Sequence, residues 1–485
     1  TAGAVAPECP ASTTVARLFT MCRGLAPGAY MRAITFLCLI LAAARLPAAT
    51  DPQPAASYDT RRATTAEVES LKRAVREGFW LETGDALLVV APPPVHARVA
   101  AKARASAAHG MLRADELFLL PMGCADYAHV VPDPLAVIGR QALVRMPPGL
   151  ARFVPGARAV APFAVLARES RRDALPKGMP DPALGAVADR VDAARWFARV
   201  VALAGFDRSS YGAGNGPVPG TGGIDPARDW LAGQFAALGY AVDMPAFDLG
   251  AVRPSNVIAT RPGAEVPGEW VLIGGHYDAR NTNNTASGVA ATPGAEDNAS
   301  GCAGVLELAA VFAAVPTRRT LVFACYAGEE QGLVGATRHM QALSQSGDLP
   351  RVRLALIMDM IGFSTDTADL DVLLESGPSP VQAPVLASFA RMAADHAPVL
   401  RVVTDTSPCC SDHMPWIDQN VPALLTIEND WFQYPHYHRS TDVPANMTNA
   451  QAMAGPILRM NAAAVADSAG LAEAPLFAGG FEPAP

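Results

Sequence analysis

Apolar positions along the chain fall into three regimes. In residues 33–44 (AITFLCLILAAA) an uncharged run follows Met31-Arg32 and gives way to Arg45-Leu46-Pro47-Ala48-Ala49. Between about 63 and 185, short apolar runs alternate with polar stretches. Residues 86–90 and 117–120 read as strands, each closed by a proline, and the alanine- and basic-rich stretch 95–109 reads as a helix. From about Val191 the pattern changes. Ala227, Trp230, Leu231, Phe235 and Leu238 recur at helical spacing, and Gly239 follows as a stop. Ahead of them, residues 209–223 (SSYGAGNGPVPGTGG) read as a loop. Residues 270–275, 320–326, 354–360 and 423–427 are continuous, mostly apolar runs, the mark of strands buried on both faces. Segments 299–314 and 329–343 between them read as helices. Such alternation predicts an α/β fold with a mostly parallel sheet covered by helices, preceded by a small α+β N-terminal module.

The first regime reads as a leader rather than as fold. A charged start, a short apolar centre and a small-residue end are the parts of a secretory signal. The run is too short to cross a bilayer, which needs about 20 residues. The chain starts at Thr1, so residues 1–30 read as translated upstream sequence. The expected plan is an upstream extension and signal over 1–49, an accessory or pro-segment over 50–190, a catalytic domain over 191–475 and a tail over 476–485. The expected location is periplasmic or extracellular, with no membrane span.

Composition narrows the function. Of 485 residues, 50% are apolar and 17% charged, with a net charge of −8, which excludes a disordered polyelectrolyte. No basic run exists to suggest nucleic acid or an anionic membrane as partner. Of the 8 cysteines, Cys9, Cys22 and Cys38 fall in the leader; Cys124, Cys302, Cys325, Cys409 and Cys410 remain. Their spacing is neither a disulfide framework nor a zinc knuckle, and Cys302 and Cys325 read as small buried hydrophobes in a helix and a strand.

Candidate chemistry gathers where the apolar runs end. Run 270–275 leads into His276-Tyr277-Asp278, and the following helix opens with Asp297-Asn298-Ala299-Ser300-Gly301. Run 320–326 exits into Glu329-Glu330, the run from 354 delivers Asp359, and 423–427 precedes His436 and His438. Taken singly, each has a plain reading: Asp297 as a helix cap, Glu329-Glu330 as complements of a helix dipole, His276-x-Asp278 as a turn. Together they place carboxylates and imidazoles at the carboxyl edge of one sheet, where ligands bind in such folds. Like charges concentrated there repel unless a cation is present, and zinc accepts both donor types. His436 and His438 are equivalent on spacing, and Asp442 reads as a local cap or turn residue.

These motifs carry a resemblance. Gly275-His276-Tyr277-Asp278, Glu296-Asp297-Asn298-Ala299-Ser300-Gly301, Ala327-Gly328-Glu329-Glu330-Gln331-Gly332, Met358-Asp359-Met360 and Tyr437-His438 occur in the order seen in the bacterial leucyl aminopeptidase family of zinc exopeptidases. The resemblance covers about 191–471. It implies a three-layer α/β/α sandwich with two co-catalytic Zn2+ ions. His276 and Asp359 would hold one metal, Glu330 and His438 the other, and Asp297 would bridge them. Asp278 would fix the His276 ring, and Glu329 would be the general base. The implied partner is a peptide with a free N-terminus, and the implied state is a monomer.

Ser411-Asp412-His413 also resembles the family and reads as standing behind the ligands; three adjacent residues cannot converge as a nucleophilic triad. Met360, Trp431, Phe432 and Tyr437 neighbour ligand positions and are candidates to line an apolar substrate pocket. The stretch Thr406-Ser407-Pro408-Cys409-Cys410 departs from the best-known member of the family, where a disulfide and a tyrosine precede the Ser-Asp-His segment. A second enzyme class, the glutaminyl cyclases, resembles the same fold and ligand set but uses one zinc; the Asp-Asn-Ala-Ser-Gly segment resembles the peptidase form.

Overall fold

The computed structural model describes residues 51–472, except 61–62, 85, 104–105, 122–133, 140, 153, 155, 168, 171–178, 210–223, 251 and 282–291. The leader 1–49, Cys124, nearly all of the loop 209–223 and the tail 476–485 therefore lie outside the described residues. The chain divides into two compact units, Thr1–Ala174 and Leu175–Pro485.

In the first unit, Ala86–Val90 pairs antiparallel with Gln53–Asp59 on one side and Phe79–Thr83 on the other. Its consecutive residues Leu87 and Leu88 face opposite sides and are both buried, Leu87 under helices Thr65–Ala74 and Pro93–Ala100 and Leu88 in a cluster with Leu117 and Leu143. Thr64 caps the first helix through a capping box with Glu67. A smaller sheet is built on Leu117–Pro121, which pairs antiparallel with Gln141–Arg145. The expected helix over 95–109 is corrected. The helix is Pro93–Ala100, and Ser106–Leu112 is a strand paired with Gln53–Asp59. Only Val95 and Val99 anchor a helical face. Beyond them the edge of the sheet offers backbone partners that outweigh alanine's helix preference.

The second unit is an α/β sandwich. Helices α1 (Pro182–Ala188), α2 (Ala193–Ala204) and α3 (Asp225–Ala237) precede the first strands. Then follow β1 (Ala241–Asp243), β2 (Val257–Arg261), β3 (Val266–His276), α4 (Gly301–Phe312), β4 (Arg319–Tyr326), α5 (Val334–Ser346) and β5 (Val352–Met358). The unit closes with β6 (Leu370–Glu375), α6 (Ala383–His396), β7 (Leu400–Asp405), α7 (Met414–Asp418), β8 (Ala423–Glu428) and α8 (Ala450–Ala469). The strand order is β7-β6-β8-β5-β3-β4-β2-β1.

At the centre, β4, β3, β5 and β8 run parallel, with His276 beside Tyr326, Gly274 beside Ile357 and Met358 beside Thr426. Their carboxyl ends therefore lie side by side, and whatever follows each strand is delivered to one edge. Neighbouring strand residues face opposite layers. Cys325 meets α4 through Cys302, while Tyr326 meets α5 through His339, so these two helices cover opposite faces. Glu307 on α4 is fully buried and receives both Arg195 and Arg199 of α2, at 2.6 and 2.8 Å, which pins α2 onto α4.

Two expectations are corrected here. Cys302 and Cys325 form a disulfide (Cα–Cα 6.1 Å), rather than packing as separate thiols. The segment expected as helix 329–343 is a turn through Glu329–Leu333 and becomes helical at Val334, because Gly328, Gly332 and Leu333 take positive φ of 72°, 107° and 61°. The plain reading of Asp297 as a helix cap does not apply, because the regular helix starts at Gly301 and the Gly301 N–H is accepted by Asn298 Oδ1. Gly301 is required there, since a Cβ would collide with the Met358 carbonyl and the Asn298 side chain.

The disulfide joins α4 to β4, the two elements that flank the future site. In the chain-entropy view, closing a loop of sequence separation 23 stabilises the fold by about 3 kcal/mol. The Cys302→Ala/Cys325→Ala chain is expected to lose about that much in a denaturant titration. An unchanged midpoint, with or without reductant, would contradict the bridge.

Candidate metal centre

Each motif arrives at the carboxyl edge by a different route. β3 ends on His276 itself, 1% exposed. The turn after β4 carries Glu329 and Glu330, the residue after β5 is Asp359, and the loop after β8 brings His438, held at a positive φ of 55°. Asp297 comes from the irregular segment before α4, with a cis peptide bond to Asn298.

Two groups of potential metal ligands result. His276, Glu329 and Asp359 place ligand atoms within 4.8 Å of one another, as do Asp297, Glu330 and His438. Asp297 connects the groups. Its Oδ1 lies 3.3 Å from His276 Nε2, and its Oδ2 lies 3.0 Å from His438 Nε2. Around His276 Nε2, Asp359 Oδ1 stands at 3.5 Å and Glu329 Oε2 at 3.9 Å. Glu330 Oε2 is 3.3 Å from His438 Nε2, and Arg280 approaches the same oxygen at 3.9 Å.

Electrostatics identifies what the centre suits. Burial alone would make the His276 ring less basic, but Glu329, Asp278, Asp297 and Asp359 outweigh it and raise its pKa well above the ordinary value. Burial is the largest influence on Glu329 and raises its carboxyl far above the usual range, with Glu330 adding to the effect against the pull of His276. Burial also raises Glu330, against His438. Asp297 goes the other way: burial opposes ionisation, yet its bonds to His276 and His438 hold the carboxyl far below its usual value. Without another cation, the proton that His276 holds is what answers the carboxylates around it. Imidazole nitrogen and carboxylate oxygen form a donor set that suits zinc, and Glu330 Oε1 is buried with no hydrogen-bond partner among the described residues. The residues present therefore fit a zinc site.

The supporting residues act through the backbone. The Asp278 carboxylate accepts the N–H groups of Glu329 and Glu330 at 3.2 and 3.3 Å, and its own carbonyl lies 3.2 Å from His276 Nδ1. Asp278 thus holds the glutamate turn as well as lying beside the ring. Sequence reasoning missed Asn298 and misread Asp442. Asn298 Oδ1 accepts the N–H groups of Gly301 and Met360, and its Nδ2 donates to Met358 O, stitching the Asp297 segment to the end of β5 on both sides of Asp359. Asp442 does not serve its own turn alone. Its carboxylate accepts the N–H groups of Glu296 and Asp297, at 2.9 and 3.0 Å, and the hydroxyl of Tyr434. Nothing in the local sequence around Asp442 signals partners nearly 150 positions away.

The remaining candidates separate. Ser411 Oγ donates to Asp359 Oδ2 at 2.7 Å, whereas His413 Nε2 meets Glu375 Oε1 at 3.0 Å. Asp412 is fully buried without a hydrogen-bond partner among the described residues, and burial raises its carboxyl well above the usual range. His436 turns to Thr441 and stays outside both ligand groups, so position rather than spacing selects His438. Trp431 packs edge-on against Phe432 and Tyr437, and Tyr437 stacks on His438 with ring centroids 3.8 Å apart. Met360 is buried at the end of β5, with a positive φ of 52°.

Comparison with known proteins agrees with this geometry. The profile of peptidase family M28 matches residues 256–459. A probable zinc metalloprotease of Pyricularia oryzae is 37% identical over 203 residues, covering 39% of this chain and 39% of that protein. A probable zinc metalloprotease of Pyrenophora tritici-repentis is 34% identical over 197 residues, covering 36% of this chain and 44% of that one. The chain thus spans less than half the length of these curated relatives. Among solved structures, the LapA aminopeptidase of Legionella pneumophila has a similar fold: TM-score 0.50, 18% identity, 74% of this chain and 99% of that one.

Proposed function

We propose, from a chain whose residues 256–459 form a peptidase family M28 domain, that this protein is an exported aminopeptidase working with two zinc ions. His276 and Asp359 would hold one ion, Glu330 and His438 the other, and Asp297 would bridge them. The observation that carries the reading is the placement of the Asp297 oxygens, each facing a different histidine at 3.3 and 3.0 Å. A carboxylate shared in this way serves two cations, whereas a one-zinc cyclase would need only one of the two groups. Export rests on the apolar run behind Arg32.

When bound, zinc would supply Lewis acidity toward a water and the scissile carbonyl. The protein does the rest. Glu329 takes the proton of the attacking water and delivers it to the leaving amine. Its side chain is 11% exposed against 3% for Glu330, so it is the member of the pair open to a substrate. Asp278 keeps the two carboxylates in fixed directions by holding both backbone N–H groups. A free α-amine would be held beside the metal ions, which selects free N-termini. The aromatic group Trp431, Phe432 and Tyr437, stacked against His438, offers an apolar surface to the first side chain.

An aminoacyl-anilide panel tests this. Leucyl and methionyl anilides should be cut more than about tenfold faster than their N-acetylated forms, since blocking the amine removes a charged contact. Equal rates on blocked substrates would overturn the aminopeptidase assignment. Conversion of glutaminyl peptides into pyroglutamyl peptides with loss of ammonia, without anilide cleavage, would favour the cyclase reading.

A further inference from the structure

Arg208 is fully buried, yet its guanidinium binds carbonyl oxygens. Nε donates to Tyr277 O at 2.7 Å, Nη1 to Leu203 O at 2.7 Å and to Pro293 O at 2.5 Å, and Nη2 to Gly294 O at 2.5 Å. Its own carbonyl accepts the N–H of Ala279 at 3.0 Å, and the preceding Asp207 accepts the Thr292 hydroxyl. One short segment therefore grips the chain immediately after His276 and the chain immediately before Asp297. The approach is close: Gly294 has φ +47°, and a Cβ there would come within 2.9 Å of Arg208 Nη2.

We propose that Arg208 is a positioning residue that fixes the separation of His276 and Asp297, and through it the affinity of the centre for metal. The inference rests on the zinc reading given above. Charge and shape can be told apart here. A fixed positive charge close to the centre would by itself oppose cation binding. A planar fork satisfying several carbonyls orders the two ligand-bearing loops and favours it. Lysine keeps the charge but offers a compact ammonium that cannot reproduce the fork. If charge alone mattered, Arg208→Lys would bind metal like the wild type. If the fork matters, binding weakens although the charge is kept. Burial lowers the Arg208 pKa, and Asp442, Asp278 and Asp297 oppose the drop, leaving it at about 10, so the guanidinium is charged at neutral pH.

The test is zinc titration of metal-stripped wild type, Arg208→Lys and Arg319→Lys, with cobalt(II) absorption as a second readout. Arg208→Lys should bind zinc about 10–100-fold more weakly, the range for residues that orient metal ligands, and shift the cobalt bands. Arg319→Lys perturbs an ion pair with Glu269 at the amino end of β4, the opposite edge of the sheet, and should lower stability while leaving zinc affinity unchanged. Wild-type affinity and bands in Arg208→Lys would overturn the proposal. Should that chain fail to fold, Thr292→Val decides: weaker zinc binding supports the clamp, and unchanged binding overturns it. A wild-type chain that takes up no zinc would instead remove the zinc reading itself.

Discussion

Replacing Glu329 by glutamine is expected to leave zinc uptake unchanged and to lower kcat by about 10²–10⁴-fold, the usual share of a general base. That corresponds to about 3–5 kcal/mol of barrier. Glutamine has the same shape and keeps the backbone N–H that Asp278 accepts, so the turn should survive. What it cannot do is take a proton. The structure also places Glu329 in one group with His276 and Asp359, so a ligand role is the competing account. Glu329 Oε2 lies 3.9 Å from His276 Nε2, farther than Asp297 at 3.3 Å or Asp359 at 3.5 Å, which favours the base. Steady-state kinetics paired with metal analysis separates the two. Loss of zinc along with turnover would make Glu329 a ligand.

The second large effect is expected at Asp297. Asn in its place keeps the volume, but it presents a neutral oxygen to one histidine and an N–H donor to the other. The two groups of ligands then lose their shared anion. Zinc content should fall by at least one ion per chain, and turnover should drop by about a thousandfold or more, since a two-metal site works as a clamp. Asn298 and Asp442 bind the backbone or the neighbouring residues, not the Asp297 carboxylate, so the fold should persist with near-normal circular dichroism. Full activity in Asp297→Asn would remove the bridge from the account.

Much of this centre could be read from the chain before any coordinates. Continuous apolar runs announced β3, β4, β5 and β8, and the polar residues just beyond them proved to share one edge because the four strands are parallel. What stayed hidden has a common physical cause. Asp442, Asn298 and Arg208 act by pairing with the backbone of remote segments, and backbone groups are identical at every position, so composition carries no trace of them. His436 and His438 differ only in where the loop turns, which His438 settles with a left-handed conformation. The Glu329–Leu333 turn reads as helix because good helix formers, two glutamates and a glutamine, sit between glycines whose positive φ stops the helix from starting. Cys302 and Cys325 read as ordinary core residues, since helix and strand patterning reveals burial and not which side chains meet.

The central claim is that His276, Asp297, Glu330, Asp359 and His438 surround two cations. Its most direct test is a calorimetric titration of the metal-stripped chain with zinc, confirmed by elemental analysis. Uptake of two ions per chain is expected, falling to one when Glu330 is replaced by alanine. Uptake of a single ion by the wild type, or of two by Glu330→Ala, would contradict it.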